Sequence, residues 1–225
     1  GKSNLVWKGF TFDNWADPCA APKICEALGN SIKIGLLATV FSTILGTLIA
    51  FAIGRYMFKG RSTTNLLIFL PMATPEIVLG ASILSLFLVL QINPGFWPTV
   101  IAHVAFCISF VVVTVKSRIA SLDPRLEQAA MDLYANEFQT FRRVTLPLVA
   151  PGIAAAALLA FSLSFDDFII TNFNSGTVTT FPKFVYGAAA RGIPAEANVI
   201  GSAVFFLALI IVIVGQVVSR RRKVS

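Results

Sequence analysis

Charge is scarce in this chain: Lys, Arg, Asp and Glu supply 13% of its 225 residues, hydrophobic residues supply 56%, and the mean hydropathy is +0.79. An ordinary soluble domain carries about a quarter of its residues as charges, so that class is excluded and an integral membrane protein is indicated. Histidine occurs once, at His103, and neither CxxC nor HExxH is present, which excludes a His-rich metal centre. No GxxxxGK[ST] occurs either; the 54–60 stretch has neither the spacing nor the following lysine that cradles a phosphate. Internal repeats, low-complexity tracts and a separate soluble domain are also lacking. Of the few cysteines, Cys19 and Cys25 are close enough to bridge in an oxidising compartment, or they stand as two thiols in an ordered loop. Cys107 reads as a small packing residue.

What remains is apolar sequence in five long runs, at about 31–58, 63–91, 96–122, 145–171 and 197–219. Each approaches or exceeds the ~20 residues that cross a ~30 Å hydrocarbon core. The net charge of +7 would suit nucleic acid, but the basic residues follow topology rather than one surface. Arg55, Lys59 and Arg61 lie between the first two runs, and Lys116, Arg118, Arg125, Arg142 and Arg143 surround the loop between the third and fourth. Both loops, and the tail Arg220, Arg221, Arg222 and Lys223, are predicted to be cytoplasmic, whereas the uncharged turn 91–98 faces outward. The fold class is therefore an all-α integral membrane domain: an extracytoplasmic segment 1–30, a transmembrane domain 31–219 with a cytoplasmic loop 123–144, and a cytoplasmic tail 220–225. Because 1–30 contains neither a signal peptide nor a spanning helix, a sixth, N-terminal transmembrane helix is expected upstream.

Local signals refine this picture. Asn30 and Ser31 offer caps for the first helix, and Pro71 and Pro75 interrupt the second, leaving carbonyls near Leu67 and Pro71 without helical donors. Asp123 and Pro124 start a short helix, a second one follows Asn136, and the loop 172–196 holds a short helix at 181–191. In the 126–151 segment, Leu126, Ala129, Ala130 and Leu133 share one helical face while Glu127, Asp132 and Glu137 project elsewhere. Arg142 and Arg143 then precede the run that re-enters the bilayer.

That segment resembles the cytoplasmic loop of permease subunits in binding-protein-dependent ABC importers, whose pattern is EAA, three residues, Gly, nine residues, then Ile, any residue, Leu, Pro. The pattern falls on Gln128, Ala129, Ala130, Tyr134, Val144, Leu146 and Pro147, with Gln for the acid, Tyr for the Gly and Val for the Ile. The flanking FQTFRRVTLPLVAPGI and ALLAFSLSFDDFIIT are most similar to the spermidine/putrescine branch, and the similarity runs over about 7–218. The resemblance implies a type I ABC importer permease fold in the plasma (inner) membrane. Its implied partners are a homologous second permease, two ATPase subunits that bind ATP and Mg, an external substrate-binding protein and the lipid bilayer. This chain would be non-catalytic, with no cofactor of its own. Glu127, Gln128, Ala129, Ala130, Asp132, Leu133 and Tyr134 would form the coupling helix that docks into an ATPase groove; the alternative is an interfacial helix on lipid headgroups, which a basic rather than acidic face would favour. Without the family Gly, Asn136 is expected to supply the left-handed turn.

Glu76, Asp166 and Asp167 lie inside apolar runs, where each acid costs ~2.5–3.5 kcal/mol at a helix centre. A path for a polyvalent cation needs such oxygen ligands, and the membrane potential adds about 2.3 kcal/mol per charge per 100 mV to inward movement. Adjacent Asp166 and Asp167 cannot share one face, so at least one is expected to cap a helix or bond a neighbour, and Glu76 could satisfy amides freed by Pro75. Phe165, Phe168 and Tyr186 could stack on an amine, although packing is the usual role of such rings; His103 reads as a packed, hydrogen-bonded residue. The favoured cargo is a polyamine; the rivals are an inorganic ion, sugar or sugar phosphate carried by the same machinery, or a secondary transporter without an ATPase.

Overall fold

A computed structural model describes residues 13–190 and 192–224. The first twelve residues, Arg191 and the side chains of the basic tail lie outside the described residues. Among the described residues every regular element is helical. In chain order they are α1 (Asp13–Ala16), α2 (Ile24–Arg55), α3 (Arg61–Ala73), α4 (Glu76–Val89), α5 (Phe96–Ala120), α6 (Arg125–Asp132) and α7 (Glu137–Thr140). A π-turn, Phe141–Thr145, leads into α8 (Leu146–Asp166), followed by α9 (Ile169–Asn174), α10 (Phe181–Ala189) and α11 (Ala195–Val224).

Helices α2, α5 and α8 pack together as the core of the bundle. The sequence of α2 explains its orientation. Between Ile34 and Ile53 its buried stripe is made of small residues, Gly35, Ala38, Ser42, Gly46 and Ala50, while Leu36, Val40, Ile44 and Leu48 stay exposed. In lipid there is no gain from hiding large apolar groups, so small residues line the contacts and let backbones approach closely. Gly46 is the tightest point, since a Cβ there would lie 2.6 Å from Val111 Cγ1. Gly152 plays the same part on α8: it leaves room for the stem of Arg118, whose guanidinium donates twice to the Leu148 carbonyl, at 3.1 and 2.9 Å. Pro147 and Pro151 remove amides from the first turns of α8, and the Arg118 guanidinium ties that proline-weakened stretch to α5.

Among the described residues three helices are long and apolar enough to cross a membrane, four if the bent α3–α4 pair is one span. The expected run 63–91 is therefore not a single kinked helix: α3 and α4 meet at 109°. Pro71 sits within α3, but Pro75 cannot donate an amide and forces Thr74 out to extended angles, so the chain breaks there. The fourth run also stops early, at Asp166 rather than near 171, for a reason given below. The first starts early, at Ile24, which moves Asn30 and Ser31 from caps to helix interior. They fasten the loop instead: Asn30 Nδ2 donates to the Thr179 carbonyl at 3.0 Å, and Ser31 Oγ accepts from the Phe181 amide at 2.8 Å. A disulfide joins Cys19 to Cys25 across the start of α2. Lys183 closes the same end, donating to Ser175 Oγ, the Gly176 carbonyl and the Val178 carbonyl at the C-terminus of α9, and burial lowers its pKa.

The close α2–α5 approach predicts a graded response to added methyl groups. Gly46→Val should lower the thermal midpoint of the detergent-solubilised protein by the equivalent of about 1–3 kcal/mol. Gly54→Ala, whose Cβ would meet Ile119 at an ordinary 3.4 Å, should change it little.

Candidate functional site

At the end of the bundle that carries Arg55, α6 and α7 form a short polar pair outside the core. Asp123 Oδ1 accepts from the Arg125 amide at 2.9 Å and starts α6, as the Asp–Pro signal predicts. Asn136 starts α7 through a reciprocal capping box with Gln139. The left-handed residue between them is Tyr134 itself, at φ 63°, while Asn136 has φ −75°. The expectation that Asn136 would make the turn is therefore wrong. Its side chain is committed to the Gln139 amide, which requires extended backbone angles, and the turn falls where the family pattern places its Gly.

The proposed docking residues divide between two surroundings. Gln128, Ala129, Asp132, Leu133 and Tyr134 are exposed, with Tyr134 at 99%. Ala130 and Glu127 are half-buried and turn toward the bundle. Glu127 forms an ion pair with Arg55 at the end of α2 and accepts from Thr145 Oγ1 at 2.7 Å, and Arg55 also donates to Thr145 Oγ1 at 3.1 Å. Both charges are more than a quarter exposed, so the pair contributes at most about 1 kcal/mol. Its importance is geometric: one side chain links α6 to α2 and to the start of α8. Arg55 and Thr145 were absent from the sequence-based set; the available signal was a loop acid opposite a basic helix end.

Glu76, Asp166 and Asp167 come together around one pocket of about 280 Å³, with Leu163, Phe168 and Ile169. Glu76 is exposed in the first turn of α4, where the positive end of the helix dipole favours an acid. Asp166 is exposed in the last turn of α8, where the dipole disfavours one. Asp167 is buried and has the capping role anticipated for one of the pair. Its carboxylate accepts from the amides of Ile170 and Thr171 at 3.2 and 2.8 Å and from Thr171 Oγ1 at 3.0 Å, ending α8 and starting α9.

His103 on α5 holds that break from the far side. Nδ1 is 2.6 Å from Ser164 Oγ, before the break; Nε2 is 3.0 Å from Thr171 Oγ1, after it, and 3.4 Å from Asp167 Oδ2. A neutral ring satisfies the whole set: the Ser164 hydroxyl donates to Nδ1, Nε2–H donates to Thr171 Oγ1, and the Thr171 hydroxyl donates to Asp167. Cys107, one turn further along α5, is buried against the Ala160 carbonyl. Among the described residues no group of His, Cys, Asp and Glu is arranged to hold a metal ion.

The family model described as binding-protein-dependent transport system inner membrane component matches residues 42–224. The chain belongs to that family. The spermidine/putrescine transport system permease protein PotC of Escherichia coli strain K12 is 35% identical to this inner membrane component over 217 residues, 96% of this chain and 82% of the relative. The putrescine transport system permease protein PotI of the same strain is 35% identical over 206 residues, 88% and 73% of the two chains. In fold the inner membrane component is similar to a chain of a bacterial alginate ABC transporter, with a TM-score of 0.73 and 18% identity over 97% of this chain and 85% of that one. A chain of the MetNI methionine ABC transporter gives a TM-score of 0.67 and 17% identity, over 89% and 98%.

Two expectations follow for this inner membrane component. Asp167→Asn and His103→Ala should each lower the thermal midpoint by the equivalent of about 1–3 kcal/mol, because buried partners are left unmatched, whereas Asp166→Asn should leave it near the parent value. Tyr134→Gly should hold or raise the midpoint. Tyr134→Val, a β-branched residue at left-handed angles, should lower it by about 1–3 kcal/mol.

Proposed function

We propose that the chain is the membrane-spanning permease subunit of an ATP-driven importer whose cargo is a polyamine such as spermidine or putrescine. The observation that carries the cargo is Asp166: an exposed carboxylate inside an apolar helix, at the end where the dipole opposes it, facing a pocket shared with Glu76. Among the described residues no cation pairs with that carboxylate, and a path for a cationic amine gives it a partner. The PotC and PotI relatives, permeases of spermidine/putrescine and putrescine transport systems, support the same cargo.

In this reading the bundle end with Arg55, α6 and the tail is cytoplasmic, and the end with the disulfide is outside. Five spans are present: α2, the α3–α4 pair, α5, the α7–α8 rod and α11. The exposed face of α6 docks on an ATPase subunit as the coupling helix, and Glu127 passes its movement to α2 and α8 through Arg55 and Thr145. A second permease completes the path, an external binding protein delivers the amine, and the ATPase pair binds ATP and Mg.

The reading is tested by reconstituting the full complex in proteoliposomes. Spermidine uptake should require ATP and the binding protein, and Glu76→Gln and Asp166→Asn should each reduce it at least about fivefold while the complex still assembles. Uptake by this chain alone down a gradient would overturn the importer, and unchanged uptake in both variants would remove these acids from the path.

A further inference from the structure

Asp166 also lines a second, wider pocket of about 550 Å³, between α8, α10 and α11. Apart from Asp166 and the Tyr186 hydroxyl, every described residue on its wall is apolar, among them Phe165, Val185 and Val204. Phe168 and Tyr186 stack within it, ring centroids 4.1 Å apart and planes 26° from parallel. Stacking uses one face of each ring, and Tyr186, 66% exposed, keeps its other face open. Phe168 is the first residue after the break that Asp167 caps, so the clamp that ends α8 also sets the distance between ring and carboxylate.

We propose that Asp166, Phe168 and Tyr186 form a station for the alkylammonium groups of the cargo at the outer mouth of the path, an inference that rests on the polyamine reading. The chemistry selects the ligand class. A metal ion needs several oxygen ligands and a sugar needs many hydrogen-bonding partners, and among the described residues the pocket supplies one carboxylate and one hydroxyl. An aliphatic amine needs a counter-charge, an aromatic face and an apolar wall for its methylenes, all of which are here. The volume falls within the ~300–1,000 Å³ of small-molecule sites. The station lies at the bundle end opposite Arg55, where the Phe181 amide bonds Ser31. Asp166 is common to this pocket and to the acidic one with Glu76, so an amine bound by the rings is already against the carboxylate that introduces it to the next pocket.

The test uses the complete transporter in proteoliposomes, saturated with binding protein, with labelled spermidine uptake and spermidine-stimulated ATPase as readouts. Tyr186→Ala and Phe168→Leu should each lower uptake roughly fivefold, whereas Tyr186→Phe, which keeps the ring face, should lose less than about twofold. A photoreactive phenylalanine analogue at position 186 should capture labelled spermidine during turnover. Tyr186 is largely exposed, so its truncation opens no core cavity, and the amount of assembled complex serves as the folding control. A parent complex that responds to spermidine while Tyr186→Ala and Phe168→Leu match it overturns the station alone. Equal losses in Tyr186→Phe and Tyr186→Ala also overturn it, since the ring face would then not matter. A parent complex indifferent to spermidine overturns the polyamine reading and the station with it.

Discussion

A backbone amide or carbonyl stranded in hydrocarbon costs several kcal/mol, and the architecture follows from where those groups find partners. Long helices satisfy themselves; the informative places are those where a helix stops. At Asp167 the carboxylate takes the amides of Ile170 and Thr171, and His103 secures both sides of the break. At the entry to α8, Arg118 covers the Leu148 carbonyl, and Gly152 is small enough to permit it. The pocket acids owe their positions to the breaks at Asp167 and Pro75. Asp166 ends α8 because Asp167 caps α9, and Glu76 opens α4 because Pro75 breaks the second run.

Much of this was legible in the sequence where one residue type has one dominant physical effect. Pro75 announced a break, Asp123 and Asn136 announced helix starts, and the run lengths announced a membrane. Magnitudes that depend on neighbours were not legible. Proline says that the ladder is lost but not that the two halves part by 109°. Asn30 and Ser31 carry capping chemistry, yet the helix begins before them because Ile24 and Ala27 are buried and extend the packed face. Tyr134 is a poor residue for a left-handed turn, and local propensity favours Asn136; the capping box overrides that propensity by claiming the Asn side chain.

The candidate site was legible as a list of residues but not as a set of roles. Three acids in apolar sequence demanded an account, and adjacency alone predicted that one of Asp166 and Asp167 would be structural. Only the geometry distinguishes them, through burial and dipole direction. His103, a lone histidine, gave no signal that it touches residues on both sides of a break, because Ser164 and Thr171 are far from it in sequence. Glu127 belongs to the same category: a surface acid in the loop turns out to touch α2 and α8 at once.

The π-turn at Phe141–Thr145 does not end the helix that enters it, so Glu137–Asp166 runs as one unbroken body of 30 residues. At 1.5 Å per residue that is a rod about 45 Å long, with the α6–α7 corner at one end and Asp166 at the other. Each degree of tilt about the first end carries the second sideways by about 0.8 Å, so a tilt of only a few degrees would slide the carboxylate through the width of an ammonium group. Leverage of this kind needs no relay of side chains between the two ends: stiffness and length suffice.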